Sequence, residues 1–443
     1  MSTPTAPTYR RFFPQLEGMR AVAALGVLTT HVAFQTRAVQ WPVLGPVLGR
    51  LDLAVALFFA LSGFLLWRPH AAAARRPGLG RPGVRRYLRH RFVRIWPAYA
   101  LVVVVVLTLL PQARGASAQV WLANLTLTQV FVPLTLAPGL TQMWSLSVEV
   151  AFYLLLPVLG GALLGLRGPR AHLRIPVLTG LGLLSLGWAW VASALPLADG
   201  VEPKNWVVGH LPWFLAGLLL AELTAAVELT RHPSRRLRRW AALSANRPLM
   251  LAVFVIAYGL ACTPLAGPTG LGTLSDGAYL GKIVLGAIAA YALLAPLVCA
   301  AGPFRFLDSP LMTALGRWSY GIFIWHLAVL TSVFGVFGIP AFNGHFVEVW
   351  LLTVLITVAV SAASYAFIED PCRRALLNRE RRRAEHPPEP VPLPAPGHES
   401  VVPGTPSQGK PSYGKPSYGK PSYGKPSYGK AGQGKAMQAP PEP

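Results

Sequence analysis

The chain has 443 residues, of which 53% are hydrophobic and only 13% charged, with a formal net charge of +23. Soluble globular domains carry about 25% charged residues, so this composition excludes a fold able to cover its own surface in water and leaves lipid as the solvent. Nor does the positive charge make a nucleic-acid binder, because the arginines stand between apolar runs, as they do in the cytoplasmic loops of membrane proteins.

A helix needs about 20 apolar residues to cross the hydrocarbon core. On that measure ten spans are predicted, over residues 15–37, 47–67, 91–110, 143–165, 174–195, 206–226, 248–265, 279–301, 312–338 and 346–368. The fold class is therefore an all-α polytopic membrane protein. The stretch 118–137 is apolar but broken by Asn124 and Pro133, and it reads as an interfacial or re-entrant segment. Glu17, Arg20 and His31 interrupt the first run, so no cleavable signal peptide is read and the first helix is expected to stay in the mature protein. Arg10 and Arg11 precede span 1, further arginines crowd the loops after spans 2, 4, 6 and 10, and Arg305 stands in the loop after span 8, while the alternate loops hold few. By the positive-inside rule, ten spans with both termini cytoplasmic satisfy every loop. Three divisions follow: a cytoplasmic segment at 1–11, a membrane domain at 12–375, and a Pro/Gly/Lys-rich tail at 376–443. The tail repeats PSYGK four times from Pro411 to Lys430. It has too few apolar residues to offset the entropy of ordering, so it is predicted to be disordered, with lysines placed to touch anionic lipid head groups. Cys262, Cys299 and Cys372 lack CxxC or zinc-like spacing, so neither a disulfide nor a metal site is expected.

Ionisable residues inside apolar spans are expensive and mark function by default. Four sets stand out. In span 1, Glu17 and Arg20 share a helix face and can pair; His31 lies about 16 Å further along the axis at 1.5 Å per residue. It suits either a satisfied buried role or that of a base, with an ordinary pKa of about 6.5. Opening span 3, Arg91 and Arg94 share a face, which fits a bidentate phosphate clamp or snorkelling to the interface; anchoring explains Arg89. Glu149 starts the long run of span 4, where it needs a partner: a histidine that it orients, or a basic residue such as Arg37 or Arg50. In span 9, Ser319 and His326 lie seven apart on one face, with Gly321 permitting close helix approach; interhelical hydrogen bonding would also account for them.

Together these segments resemble the acyltransferase-3 family of bacterial membrane O-acyltransferases over roughly residues 12–375. The resemblance rests on Arg20 and His31 in an R-x10-H arrangement, Leu61-Ser62-Gly63-Phe64, Arg91-x-x-Arg94 with Pro97, and Trp144 through Glu149 with Phe152-Tyr153. Gly316 through Ser319-Tyr320 to His326, and Ile368-Glu369-Asp370-Pro371, complete it. It implies transfer of an acyl group, commonly acetyl from acetyl-CoA, to a hydroxyl of a carbohydrate, glycolipid or glycosylated small molecule, in a bacterial plasma membrane. No permanently bound cofactor is implied, acyl-CoA being a substrate. By the same resemblance His31 is the base and Glu149 assists it. Arg20, Arg91 and Arg94 serve the donor, and Ser319, Tyr320 and His326 line the site. Val150 stands where a second acidic residue often follows, and Phe323 where an aromatic hydroxyl is common, which bears on acceptor contacts. Two other classes compete: a proton-coupled transporter or flippase using His31, Glu149 and His326, and a scaffold recruiting partners through the tail. Transporters often show internal repeats and paired broken helices, which this sequence lacks. Deleting 386–443 separates enzyme from scaffold.

Overall fold

A computed structural model describes residues 13–76, 78, 83–270 and 274–385. Arg10, Arg11, Arg81 and the PSYGK tail lie outside them. The described chain is helical: α1 Gln15–Gln35, α2 Leu44–Arg50, α3 Ala54–Arg75, α4 Val84–Leu109, α5 Ala118–Leu125, α6 Met143–Ala162, α7 Arg174–Ser185 and α8 Trp188–Ala194 make its first half. The second half comprises α9 Val207–Leu229, α10 Arg235–Ala245, α11 Arg247–Ala261, α12 Asp276–Cys299, α13 Pro310–Phe337, α14 Phe346–Ser364 and α15 Asp370–Glu385.

Helices occupy every one of the ten expected segments. By length and composition, eight helical stretches among the described residues suffice to cross a membrane, and nine if the bent pair α10–α11, broken by 72°, is one span. The helix missing from that count is α1, whose apolar character is diluted by Arg20, His31 and two threonines. The residues that made span 1 look functional are the same ones that weaken it as a span. Between α4 and α6, the broken stretch forms the short helix α5 and a folded loop. Asn124 ties the two together by donating to Thr135 O at 2.8 Å, while its own carbonyl accepts from Tyr99 Oη at 2.6 Å.

Two packing seams organise the bundle: α3 runs against α9, and α13 lies between α1 and α14. Ser309 caps α13 by accepting from Met312 N, Pro310 starts it without sacrificing a donor, and Gly338 ends it in the left-handed region. The α1–α13 seam is close because Gly316 has no side chain; a Cβ there would collide with the Glu17 carbonyl. That approach brings Arg20 to the face of α13 carrying Ser319 and Tyr320. Gly321 lies instead against Ser361 of α14.

A charged cluster holds α3, α7 and α9 together. Glu222, fully buried on α9, accepts from Arg174 Nε at 2.7 Å, Arg75 Nη1 at 2.6 Å and Trp67 Nε1 at 2.7 Å. Removing one partner of a buried pair strands the other charge and costs about 3–5 kcal/mol. Glu222→Ala is therefore expected to lower the thermal unfolding midpoint in detergent sharply; an unchanged midpoint would show that water replaces the carboxylate.

The five-residue π-helix Tyr365–Glu369 joins α14 to α15. Asp370 opens α15 by pairing with Arg373 at 3.1 Å and Arg374 at 2.6 Å. The helix then lies against the start of α4, where Glu380 takes up Arg86 at 2.9 Å, His90 at 3.0 Å and Arg89. Arg89, expected to be a simple interfacial anchor, is thus paired.

Candidate active site

A cavity of about 180 Å³ opens between α1, α3, α4, α6 and α13. It brings together six of the eight residues singled out by sequence: Arg20, Arg91, Arg94, Glu149, Ser319 and Tyr320. Its wall on α3 runs from Leu66 to Val55, eleven residues and so about 16 Å along the helix axis. The space is therefore a narrow slot with a basic end and an aromatic end.

At the basic end, Arg20 pairs with Glu17 at 3.0 Å, one turn earlier on α1. Among the described residues neither Arg91 nor Arg94 is in an ion pair; Arg91 Nε is buried without a hydrogen-bond partner, and its guanidinium stands 5.9 Å from the Tyr153 ring. Because Glu380 occupies the arginines a turn or so earlier on α4, these two keep their charge for whatever enters the slot. Guanidinium groups in that condition are suited to phosphate.

Glu149 lies midway. It accepts from Ser62 Oγ at 2.5 Å and from Tyr153 Oη at 2.7 Å. Among the described residues it bonds no histidine and no arginine. Arg50, offered by the sequence as a partner, donates to the Gly267 carbonyl at 2.6 Å. The reason is depth: Glu149 stands six residues into α6, about 9 Å below its start, level with the middle of α3. It thus shares the cavity with Arg91 and Arg94. Tyr320 donates to the Ile95 carbonyl at 2.8 Å, tying α13 to α4. Glu149→Ala would leave two hydroxyl groups without their shared acceptor and is expected to cost about 1–3 kcal/mol, read as a lowered unfolding midpoint in detergent.

The aromatic end is formed by Phe58 and Phe323, edge to face with ring centroids 6.1 Å apart. His31 and His326 do not line the cavity. They lie in the next layer: Phe323 stands 6.0 Å from His326, and His326 Nε2 is 3.3 Å from His31 Nδ1. The register of α1 explains this. Gly26 packs on Ala54 at the slot's end, while Thr30, beside His31, donates to the Gly49 carbonyl at 2.9 Å, a turn beyond it.

The tautomers follow from the partners. His326 Nδ1 faces the Phe323 carbonyl at 2.7 Å and the Ile322 carbonyl at 3.1 Å, so it carries the proton. His31 Nδ1 faces the Val27 carbonyl at 2.8 Å and carries one too. The lone pair of His31 Nε2 is thereby left free, and half-buried His31 retains an accessible edge.

The acyltransferase-domain family model matches residues 13–369, which contain all of these groups. The chain belongs to the acyltransferase-3 family. Among relatives of this acyltransferase-3 chain are the peptidoglycan O-acetyltransferase OatA of Listeria monocytogenes, 25% identical, and the O-acetyltransferase OatA of Staphylococcus aureus, 24% identical. The Bacillus subtilis protein named putative peptidoglycan O-acetyltransferase YrhL is 26% identical. Each alignment covers 82% of this chain but only 55–58% of the relative, so the acyltransferase-3 chain spans little more than half the length of these proteins. No solved structure matches it. With its long apolar helices it is a multi-pass membrane acyltransferase domain.

Two site features and one buried structural charge escaped the sequence as chemistry. Ser62 and Tyr153 entered only as members of motifs, and their shared bond to Glu149 needs α3 and α6 side by side. Glu222 was passed over although the rule that flagged Glu149, a carboxylate within an apolar run, applies to it equally. Phe58 carries no sequence signal at all.

Proposed function

We propose that this domain transfers an acetyl group from acetyl-CoA to a hydroxyl of a carbohydrate or glycoconjugate, with donor and acceptor approaching from opposite sides of the membrane. One observation carries the reading: a narrow slot has at one end two arginines that make no ion pair among the described residues, and a histidine with a free ring nitrogen one turn beyond the other. The slot is too narrow for a nucleotide but suited to a thin flexible arm. Donor phosphates bind Arg91 and Arg94, the pantetheine arm follows the slot, and the thioester arrives at Phe58 and Phe323. Phe323 then turns aside to let the acyl carbon meet the acceptor. His31 Nε2 removes the hydroxyl proton; the oxygen attacks the thioester carbonyl, the new C–O bond forms, the C–S bond breaks, and the proton passes from His31 to the thiolate. No group is oxidised or reduced. Arg20, held by Glu17, adds positive charge at the donor end, and Glu149 fixes Ser62 and Tyr153 along the wall. The names of the relatives support a peptidoglycan-type glycan as acceptor class.

The test is transfer of label from radiolabelled acetyl-CoA in membranes, with wild type and His31→Ala at matched expression. Label in an extractable glycan or glycolipid with wild type alone is the expected result. Wild-type membranes that label no acceptor, although supplied with cell-wall precursors and donor, would overturn it.

A further inference from the structure

We propose that His326 is a positioning residue for His31, holding its tautomer and receiving its N–H as the base becomes charged. The inference rests on His31 being the base. In a Ser-His-Asp arrangement a carboxylate accepts from the histidine's Nδ1–H, fixes which nitrogen is free, and stabilises the imidazolium. Here a neutral imidazole stands in that place. Fully buried His326 has its own Nδ1–H committed to the Phe323 carbonyl, which turns the Nε2 lone pair toward His31 Nδ1 at 3.3 Å. The His31 N–H is therefore shared between two acceptors, Val27 O on its own helix and His326 Nε2 on α13. When His31 Nε2 takes the acceptor's proton, the N–H on the other side of the ring becomes a charge-assisted donor and both bonds tighten. The backbone carbonyl alone cannot hold the ring's rotation, because Val27 lies on the same helix; the second acceptor, on another helix, fixes the plane.

A merely structural histidine between α1 and α13 would matter for stability and not for turnover, which separates the two roles. His326→Leu removes the acceptor while filling the space, and His326→Gln restores an acceptor oxygen. For His326→Leu, kcat is expected to fall by at least about tenfold, short of the roughly 10⁴-fold loss when a carboxylate in this role is altered, with KM for acetyl-CoA unchanged. His326→Gln is expected to recover most of that loss. In ¹⁵N NMR of histidine-labelled wild type, His31 should show a protonated Nδ1 and a free Nε2, with a mixture of tautomers in His326→Leu. Wild-type kcat in His326→Leu or equal losses in both variants would overturn the inference and leave His31 as the base, whereas a wild-type His31 protonated at Nε2 would overturn the inference together with the reading of His31 as the base. Wild-type turnover in His31→Ala would instead remove the underlying reading, and this one with it.

Discussion

Replacing His31 by alanine is expected to lower the rate of transfer by about 10²–10⁴-fold, the range over which a positioned general base contributes. The loss should fall on kcat, since His31 lies one turn beyond the slot and touches nothing that holds the donor. KM for acetyl-CoA should stay near the wild-type value, and acetyl-CoA should still protect the variant against thermal unfolding. The change should leave the fold intact: His31 is only half-buried, and the α1–α13 seam is held by Gly316 and the apolar residues around it. A kcat within twofold of wild type would remove His31 from the chemistry. A parallel rise in donor KM would place it in donor binding.

The double change Arg91→Gln, Arg94→Gln is expected to act on the other kinetic constant. A hydrogen bond to a charged group contributes about 1.5–3 kcal/mol, so losing two against donor phosphates corresponds to a rise of roughly 10²–10⁴-fold in KM for acetyl-CoA at 1.4 kcal/mol per tenfold. The rate at saturating donor should change far less. Glutamine retains hydrogen-bonding capacity and length while removing charge, so the comparison isolates the guanidinium groups. Neither arginine is in an ion pair among the described residues, but the Arg94 charge acts on the part-buried Glu369 carboxylate, so the unfolding midpoint of the double variant is read beside its kinetics. Arg86→Gln, whose side chain lies against Glu380, serves as the control and should leave donor KM unchanged. An unaltered donor KM in the double variant would end the idea of a phosphate clamp.

Much of this protein was determined by one physical demand on its sequence. In lipid, backbone groups must bond within their own segment and charges must earn their place. Long apolar runs therefore become helices, and Arg20, His31, Arg91, Arg94, Glu149, Ser319, Tyr320 and His326 stand out because polar and ionisable groups are costly there. Helix positions and the identities of those residues could be read directly, since both depend on local composition. Pairings could not. Glu149 chose Ser62 and Tyr153 over any histidine because of how deep it sits beside α3, and Arg89 found Glu380 because α15 folds back along α4. His31 came to His326, two hundred and ninety-five positions away, because Gly316 lets α1 approach α13 closely enough for side chains a few turns on to meet. Each of these depends on helices remote in sequence arriving at one depth and rotation. Depth and rotation are fixed by packing between helices, which no single helix's sequence contains.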